Sequence, residues 1–186
     1  MLRWKTSTFL TMTALCGALV LAQPALCNGQ ASDFSSVYTA LSKDCKAAFK
    51  QVGAGQDMPL KCKGYGGYEV RIDYSAMSAS LRIQSPNGET AASVSPQPLG
   101  YYDKRKVEWR LAKGKPFAII IRGDHYKDES GNIDADTYSP QNITGTYLLV
   151  VGLKGFAYID GKIDAKTPDA NAKAREMADA GFIRGK

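Results

Sequence analysis

Across residues 68–74 the chain alternates strictly: Tyr68, Val70, Ile72 and Tyr74 are apolar or aromatic, and Glu69, Arg71 and Asp73 between them are charged. A period of two is the mark of a half-buried antiparallel strand, because successive side chains leave a strand on opposite faces. The pattern returns repeatedly. Leu81 and Ile83 resume it after a short polar turn, which predicts a hairpin, and Pro86-Asn87-Gly88 stops it. Val107, Trp109 and Leu111 alternate with Glu108 and Arg110. Lys113-Gly114-Lys115-Pro116 then turns the chain into Phe117-Ala118-Ile119-Ile120-Ile121, apolar at every position, as a central strand buried on both faces would be. Residues 147–151 and 156–159 flank Gly152-Leu153-Lys154-Gly155 and predict another hairpin. Two long irregular stretches, 85–104 and 123–143, separate these elements.

The period changes at the C-terminus. Thr167 suits a helix N-cap with Pro168 at the first helical position, Ala170, Ala174, Met177 and Ala178 share one face, and Gly181 ends the pattern. The expected fold class is therefore α+β and mainly β: an antiparallel sheet of hairpins, a C-terminal helix packed on it, and one disulfide. Residues 34–52 stay open. Phe34, Val37, Tyr38, Leu41, Cys45, Ala48, Phe49 and Val52 recur at helical spacing. Gly53-Ala54-Gly55-Gln56, however, sits midway between Cys45 and Cys62, where a hairpin turn would set the two cysteines opposite each other.

The first thirty-one residues read as a signal peptide. Arg3 and Lys5 precede an apolar run from Phe9 to Ala22, and Gln23-Pro24 breaks that run well short of the roughly twenty residues a bilayer span needs. Small residues allow cleavage after Ala22, Cys27 or Ala31, and the position near 27 or 31 is favoured. A lipid anchor on Cys27 is disfavoured by Leu26 immediately before it. Residues 32–186 then form a single globular domain, periplasmic or secreted, with no transmembrane span after cleavage. Removing Arg3 and Lys5 from 24 basic residues leaves 22 against 18 acidic ones, a net charge of +4. That is mild, the charges are interspersed apart from Lys104-Arg105-Lys106, and an exported protein rarely meets nucleic acid. Cys45 and Cys62 are left as an even pair in an oxidising space, which predicts a disulfide contributing about 3 kcal/mol.

The residues also resemble a group of uncharacterised secreted bacterial proteins. The similarity lies in Ser36-Val37-Tyr38-Thr39, Cys45, Cys62-Lys63-Gly64-Tyr65-Gly66-Gly67-Tyr68, Val107-Glu108-Trp109-Arg110-Leu111, and Pro116-Phe117-Ala118 with Arg122. Those proteins share a Y-T…C…C-x-G-Y-G-G opening and an E-W-R strand, and many have proline where this chain has Lys63. The resemblance implies export and one domain. It implies no mechanism, since the shared motifs are structural.

Catalytic signatures are sparse. His125 is the one histidine, no G-x-S-x-G elbow precedes a helix, and bonded cysteines are not nucleophiles. A zinc enzyme would normally bring more histidine. Glycoside hydrolysis needs only two suitably spaced carboxylates, so it stays open, although nothing singles out a pair, and Glu69 and Glu108 read as solvent-facing residues of their strands. Asp124, Asp128, Asp134 and Asp136, with Glu129 and Asn132, crowd one loop with hard oxygen donors suited to Ca²⁺, without the EF-hand register. Gly64-Tyr65-Gly66-Gly67-Tyr68 lacks the helix that a phosphate loop would precede, and reads as a tight turn beside the disulfide. Tyr65, Tyr101, Tyr102, Tyr126 and Tyr138 fall in or next to expected loops, where tyrosine serves as a rigid amphipathic contact.

These features rank a non-enzymatic extracytoplasmic binding or inhibitor-type module first, with no cofactor and with an envelope protein or glycan as partner. A carboxylate-dependent hydrolase of envelope polysaccharide and a structural envelope component are the alternatives.

Overall fold

The computed structural model describes residues 33–41, 45–47, 59–75, 78–98, 101–127 and 139–185. The expected signal peptide and its cleavage positions, the turn at 53–56, Asp128, Asp134, Asp136 and Tyr138 lie outside the described residues. Among those described, ten strands build two antiparallel sheets. The first has the order β1 (Phe34–Ala40), β7 (Lys106–Ala112), β8 (Lys115–Tyr126), β9 (Ile143–Gly152) and β10 (Asp160–Asp164). The second runs β2 (Cys45–Ala47), β3 (Leu60–Lys63), β4 (Glu69–Tyr74), β5 (Ser78–Gln84) and β6 (Thr90–Pro98). One helix, α1 (Ala170–Arg184), completes the described elements of regular structure longer than a single turn.

The two sheets face each other across one core. Val70, Ile72, Leu81 and Ile83 from the second sheet meet Val107, Trp109, Leu111, Ile119, Ile121 and Leu149 from the first. A second core lies on the other side of the first sheet, where Ala118, Ile120, Leu148 and Val150 pack against Ala170, Ala174 and Ala178 of α1. The first sheet is thus the middle layer, buried on both faces. That is why β8 is apolar at every position from Phe117 to Ile121, in agreement with its expected central place.

Both readings of residues 34–52 are resolved where the chain is described. Cys45 stands directly opposite Cys62 in the β2–β3 pair and is disulfide-bonded to it, as the hairpin alternative requires. A helix over Phe34–Ala40 is excluded by β1, which pairs with β7 along its whole length. The helical spacing misleads for a physical reason: residues three apart in a strand point to opposite faces. Phe34 packs on Phe117 and Phe182 at the helix side, while Val37 joins the core between the sheets. In a doubly buried sheet both positions are apolar.

Three further expectations are corrected. Part of the stretch 85–104 is β6, whose Ala92 and Val94 are buried; Pro96 and Pro98 are tolerated because β6 is an edge strand. The partner of β9 is Asp160–Asp164 rather than 156–159; Phe156 and Ile159 instead fold back as a turn that fills the core beneath α1. α1 starts after Asp169 rather than after Thr167, and runs past Gly181 to Arg184. Gly181 has a packing role, since a Cβ there would lie 2.7 Å from Ile159 Cγ1.

Candidate functional site

The two outer faces of the sandwich treat their charged residues differently. On the first sheet, Glu108 and Arg110 point away from the sandwich core and are buried, with 6% exposure each, beneath α1. This corrects the solvent-facing reading of Glu108. Alternation marks which face is polar, but not whether water or a helix covers it. Arg110 donates bidentately to Asp179 at 2.8 and 2.6 Å through Nη2, with Nε at 3.1 Å and Nη1 donating to the Ser36 hydroxyl at 2.7 Å. Arg175 donates to Glu108 through Nε at 2.6 Å and to the Tyr38 hydroxyl at 2.8 Å. Two steps along a strand and four along a helix each cover about 6–7 Å, so positions 108 and 110 match 175 and 179. Burial pushes the Glu108 carboxyl up, but hydrogen bonds from Arg175, Ser36 and Tyr38 outweigh it and hold the group below its usual range. The same carboxylate holds the Arg175 guanidinium above its own ordinary value.

The outer face of the second sheet has no such complement. Its register places Lys46 opposite Lys61, Lys61 opposite Arg71, and Arg71 opposite Arg82. Four strands therefore contribute one cation each to a single cross-strand row. Like charges directly opposite one another destabilise a sheet. Lys61 is relieved by Glu69 at 2.7 Å, and Arg82 by Asp73 at 2.6 Å. Arg71 sits between them, and its buried Nε has no hydrogen-bond partner among the described residues. At the β2–β3 end, the row opens into a concavity of about 870 Å³ bordered by Lys46, Lys61, Lys63, Tyr65, Tyr68 and Glu69. Beyond Arg82, a second concavity of about 490 Å³ is bordered by Asp73, Ser80, Arg82, Ser93 and Pro96.

Local chemistry fixes the ends of this row. The disulfide ties short β2, and with it Lys46, to β3. The turn from Gly64 to Tyr68 is tight and closely packed, as expected: Gly64 donates its N–H to the Tyr68 carbonyl at 3.0 Å. A Cβ on Gly64 would meet that carbonyl at 2.5 Å and the Trp109 ring at 2.8 Å. Tyr65 and Tyr68, half-buried, pack against the core and also border the concavity, the Tyr68 ring lying 5.8 Å from that of Trp109.

The remaining sequence candidates cluster elsewhere. Tyr101, Tyr102, Tyr126 and Asp124 come together around the start of β7 and the end of β8, with Tyr101 half-buried and the other three interior. Tyr102 is 1% exposed, Tyr126 7% and Asp124 8%. Thr146 donates its hydroxyl to Asp124 at 2.7 Å, the Asp124 N–H donates to Gln97 Oε1 at 3.1 Å, and Arg105 lies 3.7 Å from Asp124 Oδ2. Arg105 also stacks 4.1 Å above the Tyr101 ring, and burial pushes the Tyr101 phenol well above its usual range. This cluster fastens the end of β6 to the first sheet. The Asp124 carboxylate is engaged by a hydroxyl and a cation, and no group of three or more histidine, cysteine or acidic residues among the described residues forms a metal site. His125 stacks on Tyr147 at 4.4 Å.

Sequence reading missed the cationic row because its members lie 10 to 15 positions apart along the chain and align only through sheet register. The nearest available signal was Arg71 and Arg82 on the polar faces of two strands expected to form one hairpin. Among the described residues, no helix is long and apolar enough to cross a membrane. Comparison with protein-family models, curated proteins and solved structures found no match for this chain.

Proposed function

We propose that this chain is an exported, extracytoplasmic binding module that holds an anionic ligand on the outer face of its second sheet. The observation that carries this reading is Arg71: a guanidinium flanked by two further cations, with a buried Nε left without a partner. Burying such a donor costs free energy that an intramolecular acceptor would normally offset. Nε itself is sealed from outside, but the Nη atoms of Arg71 are not among the buried unpaired atoms, and an arriving carboxylate, sulfate or phosphate meets the guanidinium through them. The signal-like N-terminus and the disulfide support a periplasmic or secreted setting. The hydrolase alternative is less well supported. Glu69, Asp73, Glu108, Asp124 and Asp179 each face a basic side chain, and Glu108 is held ionised, whereas a general acid needs a carboxyl held protonated.

The test is a titration of the whole chain with dextran sulfate and with neutral dextran at physiological ionic strength. Dextran sulfate binds, neutral dextran does not, and Arg71→Gln weakens binding roughly tenfold or more. Lys106→Gln removes the same charge from the first sheet and leaves binding within about twofold, as expected for one screened charge away from the site. Equal losses from the two changes reduce the effect to net charge and overturn the proposal.

A further inference from the structure

The cationic row has a direction and a width, and both restrict what lies on it. Resting on the anion-binding reading above, we infer that the ligand is a linear polyuronate, an acidic polysaccharide with one carboxylate per sugar, laid across the strands along Lys46, Lys61, Arg71 and Arg82.

Adjacent strands lie about 4.8 Å apart, so the four cations form a line of about 14 Å with one charge per strand. A pyranose unit in an extended chain advances by a comparable distance, so about four sugars span the row. The line is also narrow. Glu69 and Asp73 share the outer face of β4 with Arg71, two residues to either side of it. They close the flanks against a broad polyanion such as a nucleic-acid duplex, and leave a track one chain wide. Their ion pairs do not exhaust the cations. Lys61 and Arg82 are 50% and 42% exposed, Arg82 engages Asp73 only through Nε, and exposed pairs of this kind hold weakly. The terminal nitrogens of Arg82 and the remaining ammonium protons of Lys61 are left for a ligand.

The β2–β3 end adds a second criterion. Its concavity is bordered by Tyr65 and Tyr68 together with Lys46, Lys61, Lys63 and Glu69, the last paired with Lys61. A sugar ring offers an apolar face to an aromatic ring as well as a carboxylate to a lysine, whereas a polyphosphate offers only charge. Charge and aromatic surface converge at this end and not along the middle of the row, so the terminal sugar of a bound segment belongs here.

The experiment is calorimetric titration of the whole chain with galacturonate oligomers of one to six sugars. Tripolyphosphate, a single-stranded oligodeoxynucleotide and a neutral galactose oligomer serve as comparison probes, and thermal melts confirm that each variant is folded. Affinity rises with each added sugar up to four and then levels; Arg71→Gln lowers tetramer affinity roughly tenfold or more, and Tyr65→Ala lowers it for uronates but leaves tripolyphosphate unchanged. If tripolyphosphate or the oligonucleotide binds as tightly as the tetramer, with the same loss in Arg71→Gln, the polyuronate assignment is wrong and the anion-binding reading stands. Affinity that climbs without levelling beyond four sugars overturns the one-charge-per-strand geometry. If no anionic probe depends on Arg71, both readings fall.

Discussion

The outer faces of the two sheets start from the same sequence pattern and reach opposite outcomes. On β7, Glu108 and Arg110 alternate with core residues, and each meets its complement on α1. On β4, Glu69, Arg71 and Asp73 alternate with core residues just as regularly, yet Arg71 meets only other cations across its strand pairs. Glu108 and Arg110 on the first sheet serve cohesion: they are covered by a helix, paired with it and matched in spacing. Charges on the second are partly satisfied at the flanks and left open at the centre. A buried, complementary pair belongs to the fold, whereas an aligned row of like charge lowers stability.

The comparison breaks most readily on the first sheet. Asp179→Ala leaves Arg110 buried with its main partner removed, and is expected to lower unfolding free energy by about 3–5 kcal/mol, read by denaturant titration. Replacing both members, Arg110→Met with Asp179→Leu, recovers most of that loss, because neither charge then remains under the helix. Gly181→Ala comes next. The new methyl would press on Ile159, which is 2% exposed, and the expected loss is about 1–3 kcal/mol by the same measurement.

The pH dependence of the same interface is a smaller effect with a fixed sign. Glu108 is held below its ordinary value of 4.5, so the folded state binds this proton more weakly than the unfolded chain. Its contribution is complete above about pH 4.5 and is lost as pH falls through the lower folded value. Glu108→Gln should therefore be less stable than the parent at pH 7 and show a shallower decline between pH 5 and 3. Parallel stability curves would remove Glu108 from the helix-docking account.

Much of this contrast was legible in the sequence, and the missing part has one cause. Alternation located β4, β5 and β7, the unbroken apolar run located the centre of β8, and the cysteines announced their own bond. β6 was hidden because its apolar positions are small and prolines interrupt it, a combination that an edge strand permits. β1 carried helical spacing because its sheet is buried on both faces. Tyr102 and Tyr126 read as loop contacts and are interior residues, since the chain around them packs against Gln97 and the end of β6 rather than standing clear. The cationic row could not be read at all without register. Lys46, Lys61, Arg71 and Arg82 become neighbours only when four strands are paired. Local pattern reports which residues share a face of one strand; it does not report which strand comes alongside or what covers that face.

We propose that Glu108 and Arg110 of the first sheet hold the fold while the cationic row of the second is left for a ligand. Arg71→Gln separates the two roles when stability and dextran sulfate binding are measured on the same preparation. The variant is expected to be as stable as the parent or up to about 0.5 kcal/mol more so, because repulsion along the row is relieved, and to lose binding roughly tenfold or more. Stability falling by several kcal/mol with binding intact would instead make Arg71 a structural residue like Arg110.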